Sequence, residues 1–90
     1  MNDVYRCYIE ALLATDGFIN RGEMAQTFGV ALLTITRHIG YYRQIYPGAL
    51  EFDPSSKKYF PGRTFSTRNL DSRKITPHEF LNAVRTVFGK

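Results

Sequence analysis

The sequence predicts an α+β fold made of three helices, a small β-hairpin and an added C-terminal helix. Apolar residues recur at helical spacing over residues 31–46, and a glycine separates this segment from a shorter helix before it. Residues 50–60 then form two short apolar segments around a DPSSK turn, a pattern typical of a hairpin. The sequence TPHE at residues 76–79 combines a cap, a proline and an acid at the positions that start a helix.

We expect the rest of the fold to be organised around the helix predicted over residues 31–46. At about 100° per residue, Ile35, Ile39, Tyr42 and Tyr46 share one narrow face. The opposite face carries Leu33, Arg37, Gly40, Tyr41 and Gln44, with Thr34 and Thr36 beside it. One face is therefore predicted to join the core and the other to contact a ligand.

A shorter helix is predicted just before this one, from the cap Asn20 to the stop Gly29, with Met24, Ala25 and Phe28 facing inward. Two helices joined by a glycine turn form a helix-turn-helix, whose second helix lies in the DNA major groove. The hairpin that follows carries basic residues at its turn. This order of elements predicts a winged helix.

With the remaining segments, the chain divides into three predicted regions. A first helix begins at Asn2 or Asp3 and ends near Ala14. Its inward residues are Val4, Cys7, Tyr8, Ala11 and Leu12. Residues 18–19 are predicted to pair with the hairpin as a third strand. We expect residues 1–62 to form the winged helix-turn-helix and residues 63–75 an extended basic connector held to it by Phe65 and Leu70. Residues 76–90 form the C-terminal helix.

Positive charge is concentrated where the helix-turn-helix and hairpin are predicted. Residues 31–74 contain eight basic and three acidic residues, whereas residues 1–30 contain two basic and four acidic ones. A surface that binds a polyanion requires this asymmetry. Duplex DNA is therefore the predicted partner.

The segment from residue 17 to about residue 70 resembles the N-terminal winged-helix domain of bacterial WYL-domain transcriptional regulators, including repressors of anti-phage defence islands. The resemblance lies in FGV at 28–30, YRQIYPGALEFDPSSKKY at 42–59, and Phe65. TITRHI at 34–39 is also similar to a helix of the related sugar-regulator winged helices, with His38 in place of their Asp and Ala31 in place of their usual Ser cap. The resemblance implies a bacterial or phage regulator. Without the WYL domain in these residues, it implies no small-molecule effector.

Candidate DNA-binding residues are the polar or exposed positions of the second helix, the basic turn of the hairpin and the connector. They are Leu33, Thr34, Thr36, Arg37, Tyr41, Gln44, Lys57, Lys58 and Arg63. An arginine can bond guanine with two hydrogen bonds, and a threonine offers a hydroxyl and a methyl to base edges. The alternative is that these side chains form only a solvated helix face and a charged turn.

The C-terminal helix is predicted to pair with a second copy of the chain. Its apolar stripe consists of Phe80, Leu81, Val84, Val87 and Phe88, and an isolated surface helix does not expose so wide a stripe. The alternative is that the stripe packs on the first helix of the same chain.

Enzymatic, metal-binding and membrane functions are not expected. The two histidines lie 40 residues apart without nearby cysteine or acid ligands, and no nucleophile occurs with a base and an orienting acid. The single cysteine and the lack of a long apolar segment or leader favour a cytoplasmic protein without cofactors.

These observations lead to two hypotheses about function. The first is a sequence-specific regulator of transcription, acting as a homodimeric repressor on an inverted repeat in double-stranded DNA. The alternative is a winged helix that binds another protein, such as a phage or plasmid inhibitor or adaptor.

Overall fold

The computed structural model describes residues 3–88, which form five α-helices and one two-stranded antiparallel hairpin. The elements are α1 (Asp3–Thr15), α2 (Arg21–Phe28), α3 (Leu32–Ile45), β1 (Leu50–Asp53), β2 (Lys58–Pro61), α4 (Arg68–Ser72) and α5 (Pro77–Phe88). Helices α2 and α3 form the helix-turn-helix, and β1 and β2 form the wing. The predicted winged-helix architecture with an added C-terminal helix is confirmed.

Helix α1 is the centre of the molecule, and α3, α4 and α5 all pack against it. Cys7 and Ala11 are buried as predicted, but Ile9 and Leu13, which were not placed on the inward face, are buried as well. A helix that is apolar on most sides is stable only when it is surrounded. The prediction of a single inward face was therefore too narrow, and the predicted cap Asn2 lies outside the described residues.

Helix α2 and the turn after it form as their local signals predict. The Asn20 side chain accepts a hydrogen bond from the Glu23 backbone N–H at 3.1 Å, which caps the helix. Gly29 ends the helix in the left-handed conformation, with φ of 67°, where a side chain would be strained. The three predicted inward residues are buried: Met24, Ala25 and Phe28.

Helix α3 places its apolar stripe in the core. Ile35, Ile39 and Tyr42 are buried and Tyr46 packs against the core from the end of the helix. The helix begins after Ala31, whose side chain supplies no capping hydrogen bond. Helix α3 is therefore held in place by tertiary packing.

The wing has a regular antiparallel register that pairs Leu50 with Pro61 and Asp53 with Lys58. Ile19 joins it through a two-way bridge to Tyr59, since the Ile19 N–H donates to the Tyr59 carbonyl at 2.8 Å and the reverse bond is 3.1 Å. The predicted pairing of residues 18–19 with the hairpin is confirmed. It fixes the wing to the segment that leads into α2.

Residues 63–75 are not the extended connector that was predicted, because α4 forms within them. The predicted anchors are correct: Leu70 is fully buried and Phe65 packs against the core. The cap of α4 comes from another helix, since Thr67 makes no side-chain capping bond while the Glu10 carboxylate accepts from the N–H groups of Asn69 at 2.8 Å and Leu70 at 3.1 Å. A cap from a distant residue leaves no local signal in the sequence.

Helix α5 begins with the predicted capping box and packs against α1 of the same chain. The Glu79 N–H donates to the Thr76 hydroxyl at 3.2 Å, and the Thr76 N–H donates to the Glu79 carboxylate at 2.9 Å. The Thr76 N–H is the largest cause of a lowered pKa of the Glu79 carboxyl, and the Thr76 side chain lowers that pKa further. Because α5 packs against α1, the alternative that the stripe packs within its own chain accounts for a large part of it.

Candidate nucleic-acid interface

The outward face of α3, defined by Leu33, Arg37, Gly40, Tyr41 and Gln44, is exposed along its length. Leu33 has 66% and Tyr41 43% of its surface exposed. Tyr41 makes an edge contact with His38, and no hydrogen bond or ion pair within residues 3–88 engages the side chains of Arg37 or Gln44. Sequence reasoning placed all five of these residues on this face, and the structure brings them together.

The two threonines beside this face are less available than predicted. Thr34 and Thr36 are half-buried. The Thr36 hydroxyl donates to the Leu32 carbonyl at 3.1 Å and accepts from Nη1 of Arg21 at 3.3 Å. Because its hydroxyl is already bonded within the protein, Thr36 can offer DNA mainly its methyl group.

Arg21, the first residue of α2, connects α3 to the wing. Its guanidinium carbon lies 5.7 Å from the ring centre of Phe52 and 5.8 Å from that of Tyr59, one residue on each wing strand. Arg43 approaches the Tyr59 ring from α3, also at 5.8 Å. Two guanidinium groups thus meet the wing aromatics from both helices of the helix-turn-helix, an arrangement that stabilises the wing and adds positive charge beside α3.

The turn of the wing is built on Asp53. Its carboxylate accepts hydrogen bonds from the hydroxyls and backbone N–H groups of Ser55 and Ser56, at distances between 2.7 and 3.3 Å. The Ser56 hydroxyl is the largest cause, and Ser55 the next, of a pKa lowered below the usual value for Asp53. The turn is therefore ordered by its own side chains.

The two lysines of the wing differ in position, because Lys57 belongs to the predicted DPSSK turn and Lys58 to the strand that follows it. Lys57 lies in the turn, exposed, in the left-handed conformation with φ of 59°. Lys58 begins β2 and is half-buried, with its amine 4.4 Å from the ring centre of Phe18. Of the two lysines, only Lys57 therefore lies at the tip of the wing.

Arg63 is exposed beside the loop that joins α3 to the wing. The N–H of Gly62 donates to the Ala49 carbonyl at 2.8 Å and that of Thr64 to the Gly48 carbonyl at 3.2 Å. A Cβ atom at Gly62 would overlap the Gly48 carbonyl, so only glycine fits. Arg63 is therefore held at the base of the wing and not at its tip.

A buried hydrogen-bond network fixes the inner side of α3. The hydroxyl of Tyr42 donates to the Glu10 carboxylate at 2.8 Å, and Nδ2 of Asn69 donates to the same oxygen at 2.7 Å and to the Tyr46 hydroxyl at 3.2 Å. Burial raises the pKa of the Tyr42 hydroxyl far above its usual value, and the charge and hydrogen bond of Glu10 raise it further. The network joins α1, α3 and α4, which orients the outward face.

His38 packs against α1 rather than facing outward. Its ring stacks on Tyr5 with 4.2 Å between ring centres, and Nδ1 is buried without a hydrogen-bond partner among the described residues. Burial, followed by nearby positive charge that includes Arg37, lowers the pKa of the imidazole. Within residues 3–88 no three His, Cys, Asp or Glu side chains are grouped so as to hold a metal ion.

The predicted dimerisation residues divide into two sets. Leu81 and Val84 are buried in the core of their own chain, Val84 with only 5% of its surface exposed, so they offer a partner very little surface. Phe80 is half-buried, Phe88 is exposed, and Val87 has 74% of its surface exposed. The expectation that the whole stripe contacts a second copy is therefore corrected, because the Leu81 and Val84 side chains pack inward.

Sequence reasoning missed Glu10, Arg21 and Arg43 as residues that build this surface. Glu10 and Arg43 gave no local signal, since an acid in an amphipathic helix and an arginine near a helix end are both ordinary. Arg21 could have been found. It follows Ile19 by two residues, and the predicted pairing of residues 18–19 with the hairpin already implied a position beside the wing.

A family model described as the BrxR transcriptional regulator winged helix-turn-helix domain matches residues 4–86. The chain belongs to this family. The predicted resemblance to the N-terminal winged-helix domain of transcriptional regulators is thereby confirmed, since the matched family is a winged helix-turn-helix domain of transcriptional regulators. None of the curated proteins compared with the chain matches it. Among the described helices, none combines the length and the apolar character needed to cross a membrane.

Proposed function

We propose that the chain binds double-stranded DNA sequence-specifically, with α3 in the major groove, and represses transcription as a homodimer on an inverted repeat. The observation that carries the proposal is the outward face of α3. Its side chains have almost no intramolecular partners, while the inner side of the same helix is fixed by burial and by the Glu10 network. A rigid helix that presents unpaired polar groups is suited to direct contact with base edges.

Within this proposal Arg37 and Gln44 contact bases, and Tyr41 contacts a phosphate. Arg37 and Gln44 lie about two turns apart on one face, so both can enter one groove. Lys57 at the wing tip and Arg63 at its base contact the phosphate backbone beside this groove. Arg21 and Arg43 hold the wing and contribute positive charge to the same side.

The dimer contact is proposed on one flank of α5, formed by Phe80, Ala83 and Val87 together with Val4 and Phe88. Together with the small exposed part of Val84, these residues line an apolar depression. A second copy is the occupant we propose, because one winged helix buries too little surface for tight specific binding. Two copies related by a two-fold axis can contact half-sites about one helical turn apart.

The test is to select bound sequences from a library of random duplexes and then to measure affinity for a selected duplex and a scrambled one at several salt concentrations. We expect the protein to bind the selected duplex at least about a thousandfold more tightly than the scrambled duplex. We also expect the logarithm of the binding constant to fall linearly with the logarithm of salt concentration. An absence of enrichment together with salt-independent binding would contradict the proposal and favour the protein-binding alternative.

A further inference from the structure

The fold of the protein does not require a glycine at position 40. Gly40 lies inside α3 on the outward face, where glycine lowers helix stability relative to alanine. A Cβ atom built on Gly40 would have no neighbouring atom within 4 Å, and its backbone is not in the left-handed region. Gly48 and Gly62, by contrast, are needed for a positive φ and for a close backbone approach.

The residues around Gly40 are those with the chemistry to bind DNA. Its neighbours one turn away on the helix are Thr36 and Arg37 before it and Arg43 and Gln44 after it. An arginine therefore lies on each side of a position without a side chain. The helix surface at position 40 is exposed and carries no side chain that would hold another molecule away from the backbone.

We propose that Gly40 is the point of closest approach between α3 and DNA, where the duplex meets the backbone of the helix directly. The inference rests on the proposed function, because it names the part of α3 that enters the groove most deeply. The contact is one of shape, since the N–H and C=O groups inside a helix are already bonded to each other. A side chain at position 40 would displace the duplex and weaken the contacts of Arg37 and Gln44 together.

Replacement of Gly40 has opposite effects on stability and on binding. Gly40→Ala should raise the melting temperature by about 2–8 °C, because alanine favours the helix. The same change should weaken binding to the selected duplex by about five- to a hundredfold, as expected when one extra methyl group is forced into a packed contact. Gly40→Leu should weaken binding further without lowering the melting temperature below that of the parent.

The matched control is Ala14→Gly, the reverse exchange at an exposed position of α1. It should lower the melting temperature and leave the affinity for DNA unchanged, which separates helix stability from contact with DNA. If the parent binds the selected duplex and Gly40→Ala binds it equally well, or if Gly40→Ala lowers the melting temperature, the inference is overturned and the proposed function stands. If the parent selects no sequence, both are overturned.

Discussion

The hydroxyl of Tyr42 donates a 2.8 Å hydrogen bond to the carboxylate of Glu10, and both residues are buried. Tyr42 lies on the inner side of α3, and Glu10 lies on the central helix α1. The same carboxylate accepts three hydrogen bonds from Asn69 and Leu70 at the start of α4. One buried acid thus links the helix proposed to contact DNA to the segment that leads into α5.

Glu10→Gln should lower the free energy of unfolding by about 2–4 kcal/mol. Both oxygens of the carboxylate accept hydrogen bonds. A glutamine must instead turn its NH₂ group toward some of these donors. Tyr42→Phe removes a single donor and should cost about 1–3 kcal/mol. Denaturant unfolding measures both changes, and hydrogen exchange at the N–H groups of Asn69 and Leu70 should become faster in Glu10→Gln.

The control for Glu10 is Glu51→Gln, because Glu51 is exposed on β1. Its unfolding free energy should change by less than about 0.5 kcal/mol. Equal stability of Glu10→Gln and Glu51→Gln would contradict the structural role assigned to the network.

Elements with local signals could be predicted from the sequence, and elements that depend on distant contacts could not. The Asn20 cap, the turn at Gly29 and the capping box at Thr76 each act within a few residues, so α2 and α5 were placed correctly. Helix α4 was missed because its cap is supplied by Glu10, 59 residues away from Asn69 in the chain.

The same distinction between local signals and distant contacts applies to the candidate site. The outward face of α3 was predictable because it is the complement of a regular apolar stripe. The contribution of Arg21 depends on Phe52 and Tyr59 of the wing and on Thr36 of α3, so it becomes visible only when the elements are assembled.

Lys57→Gly should stabilise the fold and weaken DNA binding. The left-handed conformation disfavours lysine relative to glycine by about 1 kcal/mol, so the replacement removes strain. It also removes the amine at the tip of the wing, and the slope of log affinity against log salt should fall by about one if one phosphate contact is lost. Thermal unfolding and a salt titration with a selected duplex measure the two effects.

Lys74→Gly is the matched control, because Lys74 is also exposed in the left-handed conformation, with φ of 56°, at the end of α4. It should gain stability to a similar extent and keep the parental salt slope. A parental slope in Lys57→Gly would show that the wing tip does not contact DNA.

Two substitutions in α5 separate folding from dimerisation. Val87→Glu should leave the fold intact and give a monomer with weak half-site binding, because Val87 is exposed on the apolar flank. Val84→Glu should unfold the chain, because it places a charge in the core. Light scattering gives the mass, and circular dichroism reports the fold.

Asn82→Glu adds the same charge on an exposed part of α5 and should change neither mass nor affinity. A Val87→Glu protein with the mass and affinity of the parental dimer would contradict the proposed contact. A parent that is monomeric at all concentrations would contradict the homodimer itself.

The most direct test of contact between the outward face of α3 and DNA is the affinity of Arg37→Ala for a selected duplex and for a random one. Arg37 is exposed and has no hydrogen bond within residues 3–88, so its loss should not disturb the fold. We predict a loss of about 1–3 kcal/mol on the selected duplex, a smaller loss on random DNA, and relaxed discrimination at one base pair of each half-site. Arg85→Ala, on the exposed part of α5, should leave both affinities unchanged. Equal losses on the two duplexes, or no loss on either, would contradict the assignment of base contacts to α3.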